Sequence, residues 1–371
     1  MNKTEKTFNR QYIKYGGIYL DNHSEKGIEV LKQINQIDTK VNGYYKDKKS
    51  VFITPNGMEE KILKNINPNS KNYHPRVNVY CANKNDINAF AGKIDEEYYI
   101  GILKGVFLNL RDHIKGFVEA EEFEVIPEIG KCNPEAILNT LVGNVLDFFV
   151  FHEFFHIMNG HCDLIKQMGI NELCEKNSAC SSMGIDLQTM EFDADCCAIS
   201  SMVNEYFRMH LMVINGINGM GGRPNIDSTI QFISGLLIST YIINSWLNTI
   251  KMETFEITEE YLEKMTHPLP GTRTIYIWAT INTILNNLRI YSDEEIDQIS
   301  NRSYEALLAF MKEFSDIAYP GFLKIAFDDI GLGHLQKLHN NWEKVRKMLT
   351  IHYDNLAPYE QVDFKSCYKG R

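Results

Sequence analysis

Apolar residues crowd most densely between positions 145 and 158, where Phe148, Phe149, Val150, Phe151, Phe154 and Phe155 follow one another with few polar breaks. The pattern predicts a helix, and its ends are marked. Asn133 is a suitable N-cap, Pro134 a first helical residue and Glu135 a first-turn acid, and Asn159-Gly160 is a stop signal. Upstream, alternation over 77–80, 87–91 and 98–102 predicts three strands, with a turn at 94–97. A helix over 103–114 follows, with Leu103, Val106, Phe107, Leu110 and Ile114 on one face. A small antiparallel sheet is therefore expected before the apolar helix. Its edge strand either accepts an extended peptide by backbone pairing or merely covers the helix, and pattern alone leaves both open.

Downstream, 161–187 reads as loop-rich, and a helix begins near Gln188. A Gly-rich loop is expected over 215–224. Residues 228–250 carry no charge and are long enough to span a membrane, yet Gln231, Asn244 and Asn248 favour a buried core helix. Thr258 caps a short helix ending near Met265, and a rigid turn around His267-Pro268 opens the next. Ser292 and Glu295 form a capping box, with amphipathic helices over 293–316 and 333–350. In the first 75 residues, two short strands flank Gly16-Gly17 and a short helix covers 28–37. The expected class is α+β and mostly helical. The organisation is an N-terminal extension (1–75), a core (76–290) and a helical C-terminal region (291–371).

The apolar helix carries His152-Glu153-x-x-His156. Residues four apart share a helix face, so both imidazoles can meet one ion. Glu153 lies about 100° around the helix, where it can reach a metal-bound water as general base. Burying these three without partners would be costly, and a metal supplies the partner. A catalytic zinc takes three protein ligands and keeps one open position. Glu191 is the natural third, and Asp195, four residues on, would orient a His ligand through its other ring nitrogen. The competing reading is a solvated acidic first turn. His161 falls five residues after His156, which breaks the metzincin spacing. Asp193 points away from the Glu191 face, and the cysteines form no paired metal-binding spacing. His267 and Arg273 flank the rigid turn, where either could stabilise an oxyanion, though from the turn alone a plain surface turn is the better account.

Apolar residues make up 44% of the 371 residues and charged residues 23%, ordinary for a soluble protein. The net charge of −10 argues against a general nucleic-acid binder. The first residues hold no apolar leader stretch, and eight scattered cysteines show no disulfide rhythm. A cytoplasmic setting is expected, with membrane association disfavoured.

Asn88-Ala89-Phe90-Ala91 on a strand, His152-Glu153-x-x-His156 on a helix, Glu191-x-x-Ala194-Asp195 on the next helix and a later His267-Pro268 with Arg273 occur in this order. Together they resemble the gluzincin peptidases of the HtpX and prenyl-protein endopeptidase type. The stretches H-E-F-F-H-I-M-N-G-H and E-F-D-A-D are also similar to Lit-type phage-exclusion peptidases. The resemblance covers roughly residues 77–290. It implies a zincin-like core holding one zinc ion per chain, with His152, His156 and Glu191 as ligands, Glu153 as catalytic base and Asp195 behind the ligands. It also implies transition-state or structural support from His267 and Arg273, and a substrate cleft lined by Asn88, Ala89 and Phe90. The implied activity is endopeptidase action on a protein or peptide. The alternatives are an effector protease switched on by an activating partner, or a non-catalytic zinc-binding protein. The HtpX-like families carry several long apolar spans and this chain at most one, which favours the soluble Lit-like branch.

Overall fold

The computed structural model describes residues 18–19, 77–82, 87–94, 97–168, 172–174, 183–218, 223–247, 258–314 and 328–349. Along the chain these form β1 (Ile18–Tyr19), β2 (Val77–Ala82), β3 (Ala89–Ile94), β4 (Glu97–Leu103), α1 (Lys104–Val118) and a 3-10 turn at Glu121–Val125. Next come α2 (Pro134–Met158), α3 (His161–Gln167), β5 (Glu172–Cys174) and α4 (Gly184–Asn218). The rest are α5 (Ile226–Leu247), α6 (Glu259–Lys264), α7 (Pro270–Leu288), α8 (Asp293–Glu313) and α9 (Asp329–Arg346). The class is α+β and mostly helical. Of the first 75 residues only β1 is described; the helix expected over 28–37 lies outside the described residues.

Two compact units divide the chain, and neither is one continuous stretch. The first comprises residues 1–113, 153–177 and 344–356, and the second 114–152, 178–343 and 357–371. In the first unit the sheet order is β1-β2-β4-β3-β5. It differs from the expected all-antiparallel sheet. β3 and β4 form a hairpin, Ala89 opposite Ile102 and Ile94 opposite Glu97. β4 then lies parallel to β2, Val77 opposite Tyr98. β5 arrives from beyond α3 and pairs with the far side of β3, Phe90 opposite Cys174. Strand alternation specifies which faces are buried but not which strands become neighbours. The Phe90 ring lies over Gly101, where a Cβ would come within 2.2 Å of it. Glycine at 101 is what lets the hairpin close over that ring. α3 packs on β3 and β5, and Asp163 on α3 holds Lys93 Nζ at 2.7 Å and Tyr98 Oη at 2.6 Å.

In the second unit α7 packs against α4 and α5, and α5 against α8. α5 carries most of the uncharged segment, and sixteen of its residues are buried, Ile230, Leu236, Tyr241 and Leu247 among them. Ser239 Oγ donates to the α2 carbonyl of Leu141 at 3.3 Å, and Gly235 faces the Asn144 amide. α2 and α5 are both long and apolar enough to cross a membrane, but 83% and 72% of their most apolar windows are buried within the fold. The expected caps are present. Asn133 Oδ1 accepts from Ala136 N at 3.0 Å, Thr258 caps α6, and Ser292 and Glu295 close a capping box on α8. Some boundaries differ from expectation, α9 running over Asp329–Arg346 rather than 333–350. Residues 161–167 are helical rather than loop, and α4 begins at Gly184 and runs through Asn218. Gly216 inside α4 costs on the order of 1 kcal/mol relative to alanine, which one residue in a 35-residue helix can absorb.

Candidate metal centre

One turn of α2 separates His152 from His156, and α4 brings Glu191 to them. One ligand atom from each of the three lies within 4.8 Å of the others. They are 0%, 1% and 2% exposed. His152 Nε2 is 3.2 Å from Glu191 Oε2. Its other nitrogen, Nδ1, is 2.7 Å from Asp195 Oδ1. The i, i+4 spacing on α4 therefore lets one helix offer a carboxylate to each side of the same imidazole.

Asp195 is itself held. Arg273 donates Nε to its Oδ2 at 2.8 Å and Nη2 to its Oδ1 at 2.7 Å, and Tyr276 donates its hydroxyl to Oδ2. Three donors thus address its two oxygens, and His152 Nδ1 lies against Oδ1 beside them. Burial alone would raise the Asp195 carboxyl. The Arg273 guanidinium and the His152 ring outweigh it and hold the group below the usual carboxylate range. The Tyr276 phenol moves the other way, raised by burial and by the Asp195 charge, so it stays a donor. Turned toward an ionised Asp195, a neutral His152 ring carries its proton on Nδ1 and keeps its Nε2 lone pair. This is the tautomer a metal ligand needs.

His156 is backed differently. Its Nδ1 lies 2.9 Å from Nδ1 of His161, the first residue of α3. Gly160, at φ 82°, makes the left-handed turn that brings His161 back against α2. His161 is not one of the three clustered donors. Neither is Cys162, whose thiol is pushed well above its usual range by burial and by the Glu153 and Asp163 carboxylates, and is therefore a neutral, poor ligand. Glu153 is 1% exposed on the turn between the two histidines.

Two imidazole nitrogens and a carboxylate oxygen, buried together, are a donor set that could hold a metal ion. The remaining sequence-derived residues fall as follows. His267 Nε2 is 3.5 Å from Glu191 Oε1, and its Nδ1 is 3.0 Å from Thr266 Oγ1. Arg273 is 3% exposed and stands behind His152 through Asp195. Asn88 sits just ahead of β3, its Oδ1 accepting from Ala89 N at 3.0 Å and its carbonyl from Leu103 N at 2.9 Å. Ala89 and Phe90 are buried on a strand that is interior rather than at an edge, since β4 and β5 flank it. Among the described residues the outer strand on that side is β5.

Three contributors went unread in the sequence. Tyr276 follows Arg273 by three residues and so shares its helix face, a signal that was available. Gln188 donates to the carbonyls of Leu262 at 2.7 Å and Met265 at 2.8 Å, tying down the segment before His267. Nothing local marks that pairing. His161 was set aside as a ligand, and its place against His156 was not visible because the turn at Gly160 decides it. No family model matches the chain, and no curated protein or solved structure matches it.

Proposed function

We propose that the protein is a metal-dependent hydrolase, and within that class a zinc endopeptidase of gluzincin type. The observation that carries the reading is the buried His152-His156-Glu191 group with Glu153 on the intervening turn. His152, His156 and Glu191 would hold the ion. When bound, it would supply Lewis-acid polarisation of a substrate carbonyl and acidify water. Glu153 takes the proton of the attacking water and delivers it to the leaving amine. Asp195, fixed by Arg273 and Tyr276, keeps His152 in its ligating tautomer. His267, beside Glu191 and 16% exposed in its side chain, would face a substrate oxygen.

The experiment is metal analysis with proteolysis alongside. Wild type should carry about one zinc per chain, and Glu191→Ala should lose it. Glu153→Gln should keep the metal and lose activity by about two to four orders of magnitude. A wild-type protein that takes up no divalent metal overturns the proposal.

One observation favours a second reading, an effector protease opened by a partner. His152, Glu153, His156 and Glu191 are each no more than 2% exposed, the burial expected of a site kept closed until a partner acts on it. On that reading, purified protein binds zinc but cleaves nothing until a partner is added.

A further inference from the structure

We infer that His161 is a positioning residue for the ligand His156, selecting the tautomer in which His156 can bind metal; the inference rests on the metal-centre reading above. The two rings are 0% and 1% exposed, their centroids 5.1 Å apart and their planes inclined at 64°. At a separation of 2.9 Å, two imidazole nitrogens share a single proton, so one donates and the other accepts. Were His156 the acceptor, its own proton would sit on Nε2 and block that nitrogen as a ligand. With His156 donating from Nδ1, its Nε2 lone pair is left for the ion, and His161 carries its proton on Nε2.

The arrangement is built rather than incidental. His161 opens α3, and α3 is fastened to the sheet two residues later, where Asp163 binds both Lys93 and Tyr98. The sheet therefore sets α3, α3 sets His161, and His161 sets the His156 ring. The two ligand histidines are supported unequally. His152 has an anionic carboxylate behind it and His156 a neutral imidazole. The carboxylate raises ligand basicity more than the imidazole does, while both fix orientation. The competing account, a histidine pair that only fills the core, predicts a cost to folding and none to metal affinity.

The test is zinc affinity, measured by chelator competition, of wild type, His161→Asn and His161→Leu, with folding followed by circular dichroism. Asn places a carbonyl oxygen where Nδ1 was and can accept the same proton; Leu cannot. His161→Leu is expected to bind zinc about 10- to 100-fold more weakly, and His161→Asn within a few-fold of wild type. A folded His161→Leu with wild-type affinity overturns the positioning role while leaving the metal centre intact. A wild-type protein that binds no zinc overturns the metal centre itself. Should the leucine variant fail to fold, long-range proton–nitrogen correlation spectra of zinc-loaded wild type decide the matter. His161 protonated on Nε2 alone is the expected result, and a proton on its Nδ1 overturns the inference.

Discussion

At the scale of single residues, the buried charges are the most exacting feature. Asp195 is wholly buried and ionised because Arg273, Tyr276 and His152 supply its donors. Removing one member of such a set leaves an uncompensated charge in the interior, at a cost of about 3–5 kcal/mol. Arg273→Leu should therefore lower the unfolding free energy by that order in urea titrations. Arg273→Lys should rescue only part of it, since an ammonium cannot make the paired Nε and Nη2 contacts. An unchanged denaturation midpoint in Arg273→Leu would mean that Asp195 is neutral in the fold. Glu191 and Asp195 were legible because a four-residue spacing on a helix has one geometric meaning. Arg273 was legible only as a polar group beside a turn. That it serves His152 through Asp195 depends on α7 packing against α4, which no local pattern encodes.

At the scale of elements, boundaries set by capping chemistry were readable and pairings set by tertiary contact were not. Asn133, Thr258 and Ser292 each cap the helix expected of them. Asn133→Ala should cost about 0.5–2 kcal/mol by thermal melt, and a neutral effect would mean that packing alone holds the start of α2. The strands were likewise readable as strands, yet the insertion of β4 between β2 and β3 and the late arrival of β5 were not. The turn from α2 into α3 belongs here too. Asn159-Gly160 reads as a stop, and the structure shows that the stop also re-aims the chain through φ 82° at Gly160. An alanine there faces a left-handed backbone penalty of about 1–2 kcal/mol. Gly160→Ala should thus destabilise the protein by that order and, on the proposed function, weaken zinc binding alongside, because relief of the strain moves His161. Destabilisation without any change in zinc affinity would separate the turn from the metal centre.

At the scale of the whole chain, residues far apart in sequence converge on the segment that carries His267. His334 of α9 stands 2.8 Å from Gln188 Oε1, and the Gln188 amide holds Leu262 and Met265 by their carbonyls. Because Gln188 spends its N–H groups on those carbonyls, its oxygen must accept, and His334 must donate from Nε2 as a neutral ring. Burial lowers the His334 pKa from 6.5 to about 4, against the opposing pull of Glu263 and Glu259 and with the help of Lys337. Between these two values the unfolded chain takes up a proton that the folded ring refuses. Stability from this group is intact above pH 6.5 and falls as pH drops toward 4, by about 2 kcal/mol between pH 7 and pH 5. In His334→Gln this portion of the acid slope should vanish. Urea denaturation of wild type and variant at pH 7 and pH 5 measures it. The two proteins should differ by a pH-dependent margin that shrinks on acidification, since the wild type alone loses the His334 contribution. Parallel losses in both would place His334 in solvent-like surroundings and undo the argument that α9 secures the His267 segment through a neutral, buried histidine.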